Sequence, residues 1–250
     1  AYLDADIVFR LADDFNDMNI STRMNTRINE ITRLDQAVRV TTEHGDELQA
    51  DAVFYALGRE PNYGLLELDK AGLVADDHGW VSINEHQQTS QAHIYIVGDL
   101  AGRPSLASTA MEQGRMAVRH AFLGEVGQSG ALLPMAIYTI PELSYVGETE
   151  RQLLERKADY ARGYAPYANT ARGQIIGNEH GLLKLLVDRQ SRLILGVHII
   201  GESASELVHV GQMAMTCSAT VDVLAATVFN YPTLAQCYKM AALEVLMQLG

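Results

Sequence analysis

The run Ala52-Val-Phe-Tyr-Ala-Leu57, stopped by Gly58, constrains this chain more than any other stretch. A nearly unbroken apolar run of that length suits a strand covered on both faces, as in a parallel α/β sheet, better than a half-exposed hairpin. A second run, His93-Ile-Tyr-Ile-Val97, ends in Gly98-Asp99. It puts a carboxylate at the carboxyl end of a sheet strand, where open α/β folds bind ligands, beside a glycine that lets a ligand approach the backbone.

Around these runs the patterning sets an order. Ile7, Val8, Leu11, Phe15 and Met18 recur at helical spacing and predict a helix over 5–18, opened by Asp4 or Asp6. Short β-branched segments follow at Ile20–Met24, Arg27–Arg33 and Gln36–Glu43, with His44-Gly45-Asp46 as a tight turn into another strand. Pro61, Asn62 and Gly64 mark a first boundary, and Gly124–Gly130 a second. Between them, Pro104-Ser105 opens a helix over 105–123 with small residues at Ala107, Ala110 and Gly114. Lys184–Val187 and Leu193–Ile200 read as paired strands, and helices over 203–217 and 233–248 close the chain. Strands followed by helices imply an α+β unit. The expected class is therefore α/β plus α+β, divided into 1–62, 63–130 and 131–250.

Charge and cysteine usage remove several functions. A net charge of −12 repels phosphate backbones and anionic membrane surfaces, which argues against a nucleic-acid or membrane partner. No apolar run approaches the roughly 20 residues that span a bilayer. Cys217 and Cys237 form no CxxC pair, and the eight histidines form no i, i+4 pair, so neither a disulfide scaffold nor a metal site is expected. Two lone cysteines suit a reducing compartment, and the expected location is cytoplasmic. The first residues, AYLDADIVFR, have no signal-peptide pattern and enter helical sequence at once without an initiating Met, so the beginning reads as a cut.

Thr89 through Asp99, then Gly102, Leu106-Ala107, Ala110 and Gln113-Gly114-Arg115, resemble the second FAD-binding signature of the pyridine nucleotide–disulfide oxidoreductase family of flavoproteins. Tyr55–Asn62 resembles the end of that family's NAD(P)-binding domain. Tyr138–Gly147 and Gly201–Glu206 resemble its dimerisation domain. The resemblance implies remainders of Rossmann-like FAD and NAD(P) domains before a dimerisation domain, with FAD and nicotinamide nucleotides as cofactors and a second copy of the chain as partner. It implies a cofactor site at Gly98, Asp99, Leu106 and Ala107, in which Asp99 holds the flavin ribityl hydroxyls beside Gly98 and the region of Ala107 faces the flavin ring through backbone N–H groups. Gly58 and Arg59 would border the nicotinamide cleft, with a surface ion pair as the other reading of Arg59. Tyr231 would flank the flavin of the other subunit.

Both GxGxxG fingerprints and the redox cysteine pair of the family are absent from this sequence, so the resemblance implies that about half of a subunit lies upstream. Its disulfide reductases place a His before Pro-Thr, with a Glu that orients it as acid/base. Here Tyr231 precedes Pro232-Thr233 and Gln236 takes the Glu position. A tyrosine, with an unperturbed pKa of about 10, is a poor proton acceptor at neutral pH. Together with Tyr138–Glu142 and Gly102–Ser108, this run is most similar to the transhydrogenase branch, where hydride passes between NADPH and NAD+ through FAD with no base. A lipoamide-dehydrogenase-like disulfide reductase and a silent dimerisation module are the alternatives. Elsewhere, Cys237 reads as a packing residue, His209 as core or interface, and Asp76-Asp77 as a solvated turn.

Overall fold

The computed structural model describes residues 3–102, 104–124, 132–178 and 180–250. It divides into two compact units: residues 1–24 with 132–250, and residues 25–131. Among the described residues, no helix is long and apolar enough to cross a membrane.

Helix α1 (Ala5–Asp17) opens the first unit. Asp4 caps it, its Oδ1 accepting from the Asp6 N–H at 3.2 Å, and Ile7 is its buried apolar contact. The second unit begins with an antiparallel meander of β1 (Ile28–Arg33), β2 (Val38–Thr42) and β3 (Glu47–Ala50). The expected turn at His44-Gly45-Asp46 joins β2 to β3, with Gly45 at φ +84°. Helix α2 (Ala107–Leu123) lies within the expected span and ends on Gly124 in the left-handed region.

Three expected strands do not form: Ile20–Met24, Ala52–Leu57 and His93–Val97 are irregular, apart from one isolated bridge at Tyr95. Among the described residues no strand pairs with Ala52–Leu57, and Phe54 is 93% exposed. An apolar run adopts strand structure only where neighbours take up its backbone hydrogen bonds. Ile94–Val97 is held differently. Thr89 donates from Oγ1 to the carbonyls of Gln91 and Ile94, and Ile96 buries against Leu73 and Val81.

The rest of the first unit is a five-stranded antiparallel sheet in the order β4-β5-β8-β7-β6, made of β4 (Met135–Ile137), β5 (Leu143–Gly147), β6 (Tyr160–Pro166), β7 (Leu182–Asp188) and β8 (Ile194–Ile200). Short helices α3 (Glu150–Glu155), α4 (Ala171–Ile176) and α6 (Val221–Ala226) join the long α5 (Ala204–Thr216) and α7 (Gln236–Leu249). The period of two along the strands sorts the faces. Leu183, Leu185, Val197 and Ile199 meet α5, α6 and α7, while Leu143, Leu182 and Ile200 meet Ile7 of α1. Both faces of β7 are covered, which is why its first six residues are all buried. Gly163 lets α7 close on β6, because a Cβ there would stand 2.1 Å from the Ala241 carbonyl oxygen.

Candidate cofactor site

Gly98 opens a single 3-10 turn, Gly98–Ala101, directly after the extended Val97. Its φ of +70° is one that side chains avoid, and a Cβ there would crowd Ala110 of α2 at 3.2 Å. Its N–H donates to Gln113 Oε1 at 2.8 Å, so the turn is pinned to the helix it faces. Tyr63 pins the same turn from the other side through its hydroxyl, which donates to the Leu100 carbonyl.

Asp99 is thereby held at the surface. Its Oδ2 lies 2.6 Å from Nη1 of Arg59, with both side chains largely exposed. Gly58, at φ +132°, has open space where a Cβ would stand. Helix α2 starts at Ala107 after Leu106, whose side chain cannot cap it, and its first turn carries no acidic residue. The first N–H groups of such a helix lack intrahelical partners and favour an anion or electron-rich carbonyl. Thr109 in that first turn is 7% exposed, and its Oγ1 has no partner. The set therefore offers an exposed carboxylate for a hydroxyl pair and uncapped donors for carbonyl oxygens, which is the chemistry a ribityl flavin needs.

Six of the expected residues, Gly58, Arg59, Gly98, Asp99, Leu106 and Ala107, lie in the second unit, and Tyr231 lies in the first. Tyr231 is 73% exposed on the turn before α7. The neighbouring Cys237 is fully buried, and desolvation pushes its thiol up to about 12, which makes it a packing residue and no nucleophile. His209 is exposed and bonded to Gln212, so it is not a core residue. Asp76 forms the expected solvated turn; its Oδ1 accepts from the N–H groups of Trp80 and His78, which holds its carboxyl below the ordinary range. A cavity of 730 Å³ in the first unit is lined by residues including Asp14, Tyr138, His180 and Glu202, and none of the expected site residues borders it.

A charged cluster in the first unit escaped the sequence reading. Lys184, with no exposed side-chain surface, donates to Asp4 Oδ1 at 2.8 Å, Asp6 Oδ2 at 2.7 Å and Glu150 Oε2 at 2.5 Å. Three carboxylates this close could hold a metal ion, but the ammonium already stands among them with all three donors used. Burial works to raise the Asp4 carboxyl, and the His198 ring, the Lys184 ammonium and the Glu150 N–H together bring it below its ordinary value. Glu150 is likewise lowered, burial being outweighed by Lys184, the Tyr160 hydroxyl and Arg162. The one legible signal was a single charged residue inside Leu182-Leu-Lys-Leu-Leu-Val187, a run otherwise apolar throughout.

A Gly-Asp turn pinned to a helix that starts without a side-chain cap is the arrangement of a nucleotide-binding fold. Residues 1–114 match the pyridine nucleotide-disulphide oxidoreductase model and residues 133–242 match the dimerisation domain of the same family, to which the chain belongs. Along its length it is similar to proteins named soluble pyridine nucleotide transhydrogenase. Identity is 40% to that of Mycobacterium bovis (strain BCG / Pasteur 1173P2), over 98% of this chain and 52% of the relative. It is 42% to that of Sodalis glossinidius, over 100% of this chain and 54% of the relative. The chain thus spans about half the length of the curated relatives it matches. Among solved structures, it is similar to the HOCl-induced flavoprotein disulfide reductase RclA from Escherichia coli, with a TM-score of 0.90 and 26% identity over 98% of this chain and 56% of that one. LpdA from Mycobacterium tuberculosis gives a TM-score of 0.87 and 28% identity over 97% of this chain and 53% of that one.

Proposed function

We propose that the polypeptide containing this chain moves hydride between NADPH and NAD+ with FAD as its cofactor, as a soluble pyridine nucleotide transhydrogenase of the cytoplasm. The observation that carries this reading is the 40–42% identity to proteins of that name along essentially the whole chain. When bound, FAD supplies the two-electron carrier between the two nicotinamides. Asp99 accepts hydrogen bonds from the ribityl hydroxyls once Arg59 turns away, and Gly98 keeps the approach open. The N–H groups that follow Leu106 and Ala107 face the electron-rich edge of the flavin. Gly58 and Arg59 border the nicotinamide cleft, and Tyr231 of one subunit flanks the flavin of the other in a homodimer. In this division residues 1–62 belong to the NAD(P) domain, 63–130 to the FAD domain and 131–250 to the dimerisation domain. Positioning is the whole task, because hydride transfer between these partners needs no protein base.

The likeness to RclA favours a second reading, a disulfide reductase. Tyr231 and Gln236 speak against it, since a tyrosine is a poor proton acceptor at neutral pH and Gln236 has no charge to orient one. The test joins this chain to the amino-terminal half of a transhydrogenase relative. With NADPH and the thio-analogue of NAD+, hydride exchange is expected, and lipoamide is not turned over. Rapid lipoamide reduction without exchange would replace this reading with the second. By itself, the 250-residue chain should purify without flavin absorbance, because it carries neither phosphate loop.

A further inference from the structure

The family match and the compact units disagree over one segment: residues 1–114 match one model, yet residues 1–24 pack with 132–250. We propose that Lys184 is the fastening that makes α1 part of the dimerisation unit, so that the dimerisation sheet carries a piece of the nucleotide-binding half.

The grip is part apolar and part polar. A 13-residue helix is marginal by itself in water and needs tertiary contacts to persist. Ile7 is the one apolar residue of α1 that is fully buried, against Leu143, Leu182 and Ile200; Leu3 and Leu11 pack partly buried against the same cluster, while Phe9 is 68% exposed. A charged hold is added to this. Asp4 and Asp6 at the start of α1 converge on Lys184 from one side, and Glu150 of α3 meets it from the other. The contacts are then tied crosswise. The Glu150 N–H donates to Asp4 Oδ2 at 3.0 Å, and the Tyr164 hydroxyl donates to Asp6 Oδ2 at 2.9 Å. A row of cross-strand neighbours, Tyr164, Lys184, His198 and Tyr145, presents these groups on the face that α1 covers. His198 donates from Nε2 to the Glu148 carbonyl at 2.9 Å and closes the row beside Lys184. At the far end of α1, Asp14 meets His180 at 2.7 Å. Both ends of the helix are thus fixed by polar contacts to the dimerisation unit, and the chain leaves for β1 only after Asp17.

This assignment does not depend on the hydride-transfer reading, and its test uses no cofactor. Hydrogen exchange of the 250-residue chain is followed by mass spectrometry for the wild type, for Lys184→Met and for the double variant Asp4→Asn/Asp6→Asn. The double variant keeps the Lys184–Glu150 pair, and Asn caps a helix about as well as Asp. Peptides covering 3–17 should exchange at least tenfold faster in the double variant, with β7, β8 and β1–β2 unchanged. Lys184→Met should release the same peptides if it folds; the double variant decides the matter if it does not. Unchanged protection of 3–17 in the double variant overturns the proposal. So does acceleration of β7 and β8 in step with α1, which would make the cluster a general core contact.

Discussion

Arg59 and Asp99, forty residues apart in sequence, meet through Nη1 and Oδ2 at 2.6 Å. The pair joins a residue expected at the nicotinamide cleft to one expected at the flavin. Both side chains are largely exposed, so screening by solvent leaves the contact worth about 0–1 kcal/mol to the fold. Its meaning lies in availability: a carboxylate paired this weakly is easily surrendered to a ligand hydroxyl pair.

Asp99→Ala should therefore leave the melting temperature of the chain within about 4 °C of wild type, as a change of about 0–1 kcal/mol requires. In the chain joined to a relative's amino-terminal half, the same substitution should weaken FAD binding at least tenfold, read by flavin fluorescence titration. A large fall in melting temperature, or unchanged flavin affinity, would contradict this assignment.

Acid should loosen the first unit through the Lys184 cluster. Asp4 and Glu150 titrate below their ordinary values of 3.8 and 4.5 in the folded chain. A depressed carboxyl stabilises the fold above its unfolded value and loses that contribution as pH falls through its folded value. Burial also holds the His198 ring below its ordinary 6.5, so circular dichroism should show the melting temperature falling gently below about pH 6.5 and more steeply below about pH 4.5. Glu150→Gln should lower the neutral-pH stability and flatten that acid limb.

Thiol reactivity should separate the two cysteines. Cys217 is exposed, while Cys237 is buried with its thiol pushed up to about 12. An Ellman titration of the native chain should give one equivalent at neutral pH, and two after denaturation. Cys237→Ala should cost about 1–2 kcal/mol by leaving a small void against α7's neighbours.

What the sequence disclosed follows from where the physics is local. Helices α1, α2, α5 and α7 carry their own periodicity or caps, and the β2–β3 turn carries its Gly45. The runs Ala52–Leu57 and His93–Val97 do not, because a strand is completed by neighbours that no local pattern supplies. Helix α3 was legible and overlooked: Thr149-Glu-Arg-Gln152 is a capping box, with Gln152 Oε1 accepting from the Thr149 N–H and Thr149 Oγ1 from the Gln152 N–H. Among the expected site residues, Gly98 and Asp99 were singled out from an apolar run ending in Gly-Asp; the turn they form is there, although the strand before it is not. The partners of Lys184 were not, since Asp4 and Asp6 stand about 180 residues away and meet it only through the packing of α1 on the sheet.

Tyr231 offers the sharpest division between the two chemistries. Its side chain is exposed before α7, where a disulfide reductase of the family would carry a histidine. If it only flanks the flavin, Tyr231→Phe should keep hydride exchange within about threefold, because the ring that packs is retained and no proton is moved. General acid/base residues contribute about 10²–10⁴-fold, so a loss of that size would mean that the hydroxyl takes part in proton transfer. Steady-state exchange between NADPH and thio-NAD+ across pH 6–9 reads both quantities. A flat profile shared by wild type and variant is the expected result, since a titrating base would bend the wild-type curve and leave the phenylalanine variant straight.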